Sequence, residues 1–442
     1  MRLGPHRHPS RRSQALLATA GLTAAAAVVH AALNVREVSP VGWGVAVVYA
    51  VTIVVGELWR VNVLGTRDFT PIALAAGLAM PMTTQLPGGE FTNYSVGYVV
   101  VVVGLATLFG QWLRQLYSMG HLVIGQVASR VIVVALAAVL YRGLPVAGQP
   151  LADWAVDWPL RWLTALAMIA VALVAMFVKL LLMAVQHSIN KHALLWQSLV
   201  DEVGAVGPLA LATASTAAVI ALAVSALGQI AIPLFLAPLL LLQLAVGRQS
   251  AVRDAQRQTI RSLSRLTDQG GFTTPGHGAR VADLALAMGR DLGLSERDLV
   301  DLEYAALLHD LGQVALRRPI PGGATTTTAP LDQRRIAHTG ASILARTAEL
   351  SRLSQVVAAQ SVPYHYGRDV VDLPLQCRIL KVSNAFDDLA GPTGRGQTAR
   401  RALDRIRLNL GYEYDPLVVR SLSRVLVRDG RVTPADIVQL DL

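Results

Sequence analysis

The stretch QIAIPLFLAPLLLLQLAVG at 229–247 runs straight into RQSAVRDAQRQTIRSLSRLTD at 248–268, and the change between them decides the architecture. The first is 19 residues without a charged side chain, close to the ~20 that cross a bilayer core. The second is polar and helix-favouring, with Val252, Ile260, Leu263 and Leu266 as its apolar minority. It reads as a juxtamembrane stalk helix, a candidate for pairing with a second copy, ended by Gly270-Gly271.

Upstream, apolar runs recur near 14–34, 41–59, 70–86, 95–113, 121–141, 160–186 and 206–226, which with 229–247 makes eight expected spans. The third is short and carries Pro71 and Pro81, so a re-entrant or interfacial helix is expected there. The first follows a basic start (Arg2, Arg7, Arg11, Arg12) and could be read as a secretory signal. Its length, and the seven runs behind it, favour a retained helix. The Arg-rich start and an even span count put both ends in the cytoplasm, with Arg60, Arg67, Arg114 and Lys191 on inner loops. Arg36, Arg142 and Arg161 dissent. Of the polar residues within spans, Arg130 is expected to pair across the bundle, with His30 and Glu57 at headgroup depth.

Composition agrees with a division into two parts. The 442 residues are 53% hydrophobic and 15% charged, against about 25% charged for a soluble protein. Residues 1–250 hold 14 Lys/Arg and 8 Asp/Glu, the rest 25 and 21, and all seven Trp precede position 200. A soluble single domain, a disordered chain and a disulfide-stapled secreted protein are excluded. The lone Cys377 has no partner in the chain. The net charge of +10 is mostly the basic N-terminus plus a mixed second half without a basic stripe, so no nucleic-acid polymer is expected as a partner. The expected partners are the lipid bilayer and a second copy of the chain.

From 272 onward the pattern is helical. Thr274-Pro275, Ser295 to Asp298, Asp415-Pro416 and Thr433 to Asp436 read as helix starts, and no useful strand alternation appears. Gly322-Gly323-Ala324 with Thr325 to Thr328 reads as a mobile loop. The fold class is all-α: a polytopic helical membrane domain over 1–247, a stalk over 248–271 and an all-helical bundle over 272–442.

The second half has four histidines, His277, His309, His338 and His365, spaced 32, 29 and 27 residues apart. His309-Asp310 follows the apolar Ala305-Ala306-Leu307-Leu308 and precedes Leu311-Gly312, at the end of a buried helix. Adjacent imidazole and carboxylate can share one metal or serve one each of a pair. Taken singly, such a histidine is more often a satisfied core residue than a ligand; the joint spacing favours a metal.

Gly276-His277, Ala306 to Gly312, His338-Thr339-Gly340-Ala341, Tyr364-His365, Arg378-Ile379-Leu380, Asn384 to Asp387 and Tyr414-Asp415-Pro416 together resemble the HD superfamily of metal-dependent phosphohydrolases. The resemblance covers about 255–428 and is closest to the HD-GYP branch. It implies a helical bundle with a di- or tri-metal centre, a nucleotide second messenger as partner with linearisation of cyclic di-GMP, and a cytoplasmic domain behind a sensor in a bacterial plasma membrane. Carried over, it gives His277, His309, Asp310, His338, His365 and Asn384 as metal positions, Asp310 and Gln313 as catalytic positions, and Arg368 as a substrate contact.

Several positions depart from the family pattern. Thr273 stands where the family has a Glu ligand, Gln313 where it has Lys, His365-Tyr366 where it has paired His, and Asn384 where it has Asp. The Gly-Tyr-Pro signature is missing from the shortened run 367–373. Asn offers a neutral carbonyl in place of a carboxylate, which lowers divalent affinity. Asp387 and Asp388, on the helical face of Asn384, are poor candidates to replace it. The expectation is a weakened site holding one divalent transition metal (Fe, Mn or Zn) per chain. Its rival is a catalytically inactive receptor of the same fold.

Overall fold

The computed structural model describes residues 11–33, 38–63, 67–117, 124–146, 148–157, 161–191, 195–320, 323–348, 350–365 and 373–440. Most of these are helical; the strands are two short hairpins, Val61–Val63 (β1) with Arg67–Phe69 (β2), and Pro145–Val146 (β3) with Gln149–Pro150 (β4). The chain divides into two units, 1–188 with 198–252, and 189–197 with 253–442.

The first unit holds Arg11–Leu33 (α1), Pro40–Leu58 (α2), Pro71–Met82 (α3), Val96–Leu116 (α4), Ile124–Ala138 (α5), Leu151–Asp157 (α6) and most of Arg161–Lys191 (α7) and Leu195–Leu227 (α8). It also holds the start of Ala231–Gln269 (α9). Each of the eight apolar runs is helical over most of its described residues. Among the described residues, five helical stretches are long and apolar enough to cross a membrane: Pro40–Leu58, Val96–Leu116, Gly125–Gly143, Trp162–Ser188 and Leu195–Gln269, the last interrupted by a 3-10 turn at Gly228–Ile230. All 12 residues of α3 are buried, which suits a helix too short to span and enclosed by longer ones. Close packing there uses small residues: a Cβ on Gly56 would stand 2.6 Å from the Ala73 nitrogen. The outward faces carry Val51, Leu108, Phe109, Trp112, Phe177 and Leu241.

The buried cations of this unit have polar partners. Arg130 donates to Glu57 and Thr70, Arg60 donates to Glu57 at 3.0 Å, and Lys179 donates to Ser129 at 2.7 Å. Arg142, a dissenter from the loop-charge pattern, is bound up by the carbonyls of Pro81, Thr83 and Tyr94. Arg36 lies outside the described residues, as does the side chain of Arg161.

The second unit holds the remainder of α9 and His277–Asp291 (α10), Glu296–Leu308 (α11), Pro330–Ala345 (α12), Ser351–Ala359 (α13) and Leu375–Ala390 (α14). Gln397–Arg407 (α15), Pro416–Arg428 (α16) and Pro434–Gln439 (α17) complete it. Its core packs Val281, Met288, Leu302, Leu380, Phe386 and Leu422, with Ile260 of α9 among them. Ser295, Asp415 and Thr433 cap their helices, and the last forms a capping box with Asp436.

Two sequence expectations are corrected. Helix α10 starts at His277, two residues after Pro275, because Gly276 takes a left-handed φ of 75° and its N–H donates to the Asp268 carboxylate of α9 at 2.7 Å. The threonine run is a wall rather than a free loop: Thr325–Thr327 forms a 3-10 turn, and Thr326 donates to Asp388 through its N–H and hydroxyl at 3.1 and 2.9 Å.

Candidate metal centre

His309 ends α11 and Asp310 follows it in the turn into the 3-10 segment Leu311–Ala315. The apolar run before them buries the helix, so the two side chains are held at 1% and 5% exposure. Gly312 lets α12 come up against this turn, since a Cβ there would run into the Ile336 carbonyl and stand 2.8 Å from the Gly340 nitrogen. His277, on the first turn of α10, comes in beside them.

Three ligand atoms then form a triangle. His277 Nε2 and His309 Nε2 are 3.4 Å apart, and each is 3.3 Å from Asp310 Oδ2. A four- to six-coordinate ion with bonds of about 2.0–2.3 Å spaces neighbouring ligand atoms about 3–3.6 Å apart. Asn384 Oδ1 lies 3.2 Å from His309 Nε2, beside the triangle. Apart from the two imidazole nitrogens, neither buried Asp310 carboxylate oxygen has a hydrogen-bond donor. A buried carboxylate in that state wants a cation, so the donor set fits a metal.

The outer contacts support the same assignment. His277 Nδ1 is 2.8 Å from Asp387 Oδ2, and His309 Nδ1 is 2.7 Å from the Ala306 carbonyl. An acceptor at each Nδ1 keeps the proton there and turns the Nε2 lone pair towards the centre. Arg280 donates to both oxygens of Asp387 at 2.8 Å. Asn384 gives its amide hydrogen to Thr325 Oγ1 at 3.1 Å, which aims its carbonyl oxygen the other way.

Without an ion, protons take its place. Burial alone would lower the His277 pKa, but the carboxylates of Asp310 and Asp387 outweigh it and push it up to about 10. His309 is raised as well, against its burial, chiefly by Asp310. Burial opposes ionisation of Asp310, yet the two imidazoles hold it well below the usual carboxylate range. Asp387 is lowered despite burial by His277 and Arg280, whereas burial raises Asp388.

His277, His309, Asp310 and Asn384 therefore come together. Other expected residues stand apart. His338 is exposed on α12, and His365 stacks on Tyr412 with ring centroids 3.8 Å apart; neither joins the triangle. Gln313 is fully buried with its amide 3.4 Å from the Gly323 carbonyl. Arg368, with Tyr366, lies outside the described residues. Asp387 is not a ligand but the orienting group for His277, a role the sequence reading missed. The signal was available, since Asp387 lies three residues after Asn384 on one helical face.

Asp310 and Asn384 open into a cleft of about 470 Å³, walled by the Thr325 turn, Gln360, Lys381 and Tyr412. That volume is within the about 300–1,000 Å³ of small-molecule sites.

Residues 261–418 match the family model described as HD domain. The chain is 28% identical over 196 residues to the cyclic di-GMP phosphodiesterase response regulator RpfG of Xanthomonas campestris, covering 41% of this chain and 51% of that protein. It is 26% identical over 177 residues to 3'3'-cGAMP-specific phosphodiesterase 3 of Vibrio cholerae, covering 38% of each. The chain thus spans about half or less of the length of these curated relatives. With the His-Asp pair, its partner His277 and the helical bundle in place, the second unit carries an HD domain.

Proposed function

We propose that this is a membrane-anchored signalling protein whose HD domain is a metal-dependent phosphohydrolase of a cyclic dinucleotide or another phosphoester. The observation that carries the reading is the triangle of His277 Nε2, His309 Nε2 and Asp310 Oδ2 with edges of 3.3–3.4 Å around an unsatisfied carboxylate. These three would hold one divalent Fe, Mn or Zn, with the Asn384 carbonyl as a neutral fourth donor. Such an ion supplies Lewis-acid polarisation of a phosphoryl oxygen. The chain's own groups orient: Asp387 and the Ala306 carbonyl hold the imidazoles, and Arg280 keeps Asp387 ionised. The cleft volume and the names of the two relatives support a cyclic dinucleotide. Asp310 stays charged beside the reacting group, and Gln313 is too far inside to contribute a hydrogen bond there. Arg368 remains the proposed substrate contact from the 367–373 run.

A second reading, a receptor without turnover, is favoured by the neutral Asn384 at the centre. The rest of the proposal follows the loop charges and the apolar helices. Residues 1–247 form a sensor of about eight apolar helical segments in the bacterial plasma membrane, the short α3 among them enclosed by its neighbours rather than crossing, and 248–271 form a stalk that can pair two copies. The HD domain over 272–442 is cytoplasmic. The test is hydrolysis of cyclic di-GMP and of a generic phosphodiester by the purified full chain with Mn or Fe. Slow, metal-dependent turnover abolished by Asp310→Asn is expected. Tight binding of cyclic di-GMP without cleavage would replace the hydrolase with the receptor.

A further inference from the structure

The cleft beside the metal centre is lined by two cations, Lys381 and Arg334. Lys381 lies on α14 three residues before Asn384, so both face one side of the helix and line the same cleft. The chain has 36 Arg and three Lys, and Lys381 is the only lysine after residue 250. Its ammonium donates to Glu413 Oε1 at 2.6 Å and to the Ser361 carbonyl at 3.1 Å. An ammonium has three donors. Two bonds therefore fix Lys381 in place and leave one hydrogen for a guest.

Arg334, on α12, lines the same cleft with an exposed side chain, and forms no ion pair among the described residues. Burial is the main cause that lowers the Lys381 pKa, and the Arg334 charge adds to it, so the two cations feel each other. One carboxylate, Glu413, offsets them on that wall. Two cations converging on a cleft, one of them already stripped of much of its water, suit a multiply charged oxyanion.

We propose that Lys381 and Arg334 are the phosphate-binding residues of this cleft, holding non-reacting phosphate oxygens of a substrate whose scissile group sits at His277, His309 and Asp310. They fill the role for which Gln313 is unsuited, both by its neutrality and by its burial away from the cleft. The guest is a phosphoester carrying at least two anionic oxygens, which a cyclic dinucleotide supplies through its two phosphodiesters. This assignment rests on the phosphoester reading of the site.

The experiment measures inorganic phosphate binding to the Mn-loaded full chain in detergent, for wild type, Lys381→Gln, Arg334→Gln, the double variant and Lys381→Arg. The double variant is expected to bind phosphate at least about tenfold more weakly, the size of one lost charge-assisted hydrogen bond. Its metal content should be unchanged, and Lys381→Arg should retain most of the affinity. Arg334→Gln alters an exposed position, so a loss of about threefold or more there decides the matter if Lys381→Gln fails to fold. Wild type that binds no phosphate, or a folded double variant that binds it equally well, overturns the assignment. Phosphate bound and lost as described, in a chain that cleaves no phosphoester, upholds the anion site and overturns the hydrolase reading alone.

Discussion

Asn384 determines how much negative charge surrounds the metal. Asp310 is the one carboxylate in the triangle, and Asn384 Oδ1 beside it brings a dipole only, 3.2 Å from His309 Nε2. Asn384→Asp adds a formal charge where an oxygen already points at the centre, so Mn affinity should rise about tenfold or more; a competition titration against a chelator reads it. The histidines give a second expectation. His277 rises from 6.5 to about 10, so in the metal-free protein its imidazolium stabilises the fold below about pH 6.5. That contribution is lost as pH climbs through the folded value. A metal needs the same Nε2 lone pair, so binding near pH 7 must expel protons, and affinity must increase with pH up to about 10. Calorimetric titration with Mn in two buffers of different ionisation enthalpy should show net proton release. At this scale His309 and Asp310 were legible as a local signal, His-Asp before a glycine stop, whereas His277 and Asn384 were named through the resemblance to the HD superfamily. The sequence could not separate His338 and His365 from them, since an exposed helix face and a stacking contact with Tyr412 are settled by tertiary packing.

The C-terminal part of α9, the proposed stalk, is an element of the second unit. From Arg253 on it belongs to that unit, and Ile260 is buried in its core. Arg257 and Arg261 both reach the Glu303 carboxylate of α11, at 2.6 and 3.0 Å. Ser264 lies against Gly278, where a Cβ would approach its hydroxyl to 2.5 Å, and Asp268 caps Gly276. The stalk thus touches the two residues flanking His277. Ile260→Ala should lower the stability of the second unit by about 2–4 kcal/mol, which thermal unfolding followed by a probe in that unit would detect. Most helices were legible from their caps and apolar periodicity. The stalk's docking was not, because its four apolar residues form too thin a stripe to announce a buried face. The threonine run misled for a related reason: low complexity suggested freedom, while Asn384 and Asp388 bind it from another helix.

For the whole chain, the division into an apolar and a charged half was legible from composition alone, and each half is helical. The count of spans is harder to read, because a buried 12-residue helix such as α3 is as apolar as one that crosses. The proposed cytoplasmic placement of the HD domain makes one expectation specific. A reporter active only outside the membrane, fused at residue 248, should give no signal, whereas strong activity would reverse the orientation. The central claim is that His277, His309 and Asp310 are a metal site, and the most direct measurement is the metal content of the purified full chain after Mn or Fe loading, set against Asp310→Asn. The account predicts close to one tightly held ion per chain in wild type and its loss in the variant, with both proteins folded. No ion in wild type, or the same content in both, would contradict it.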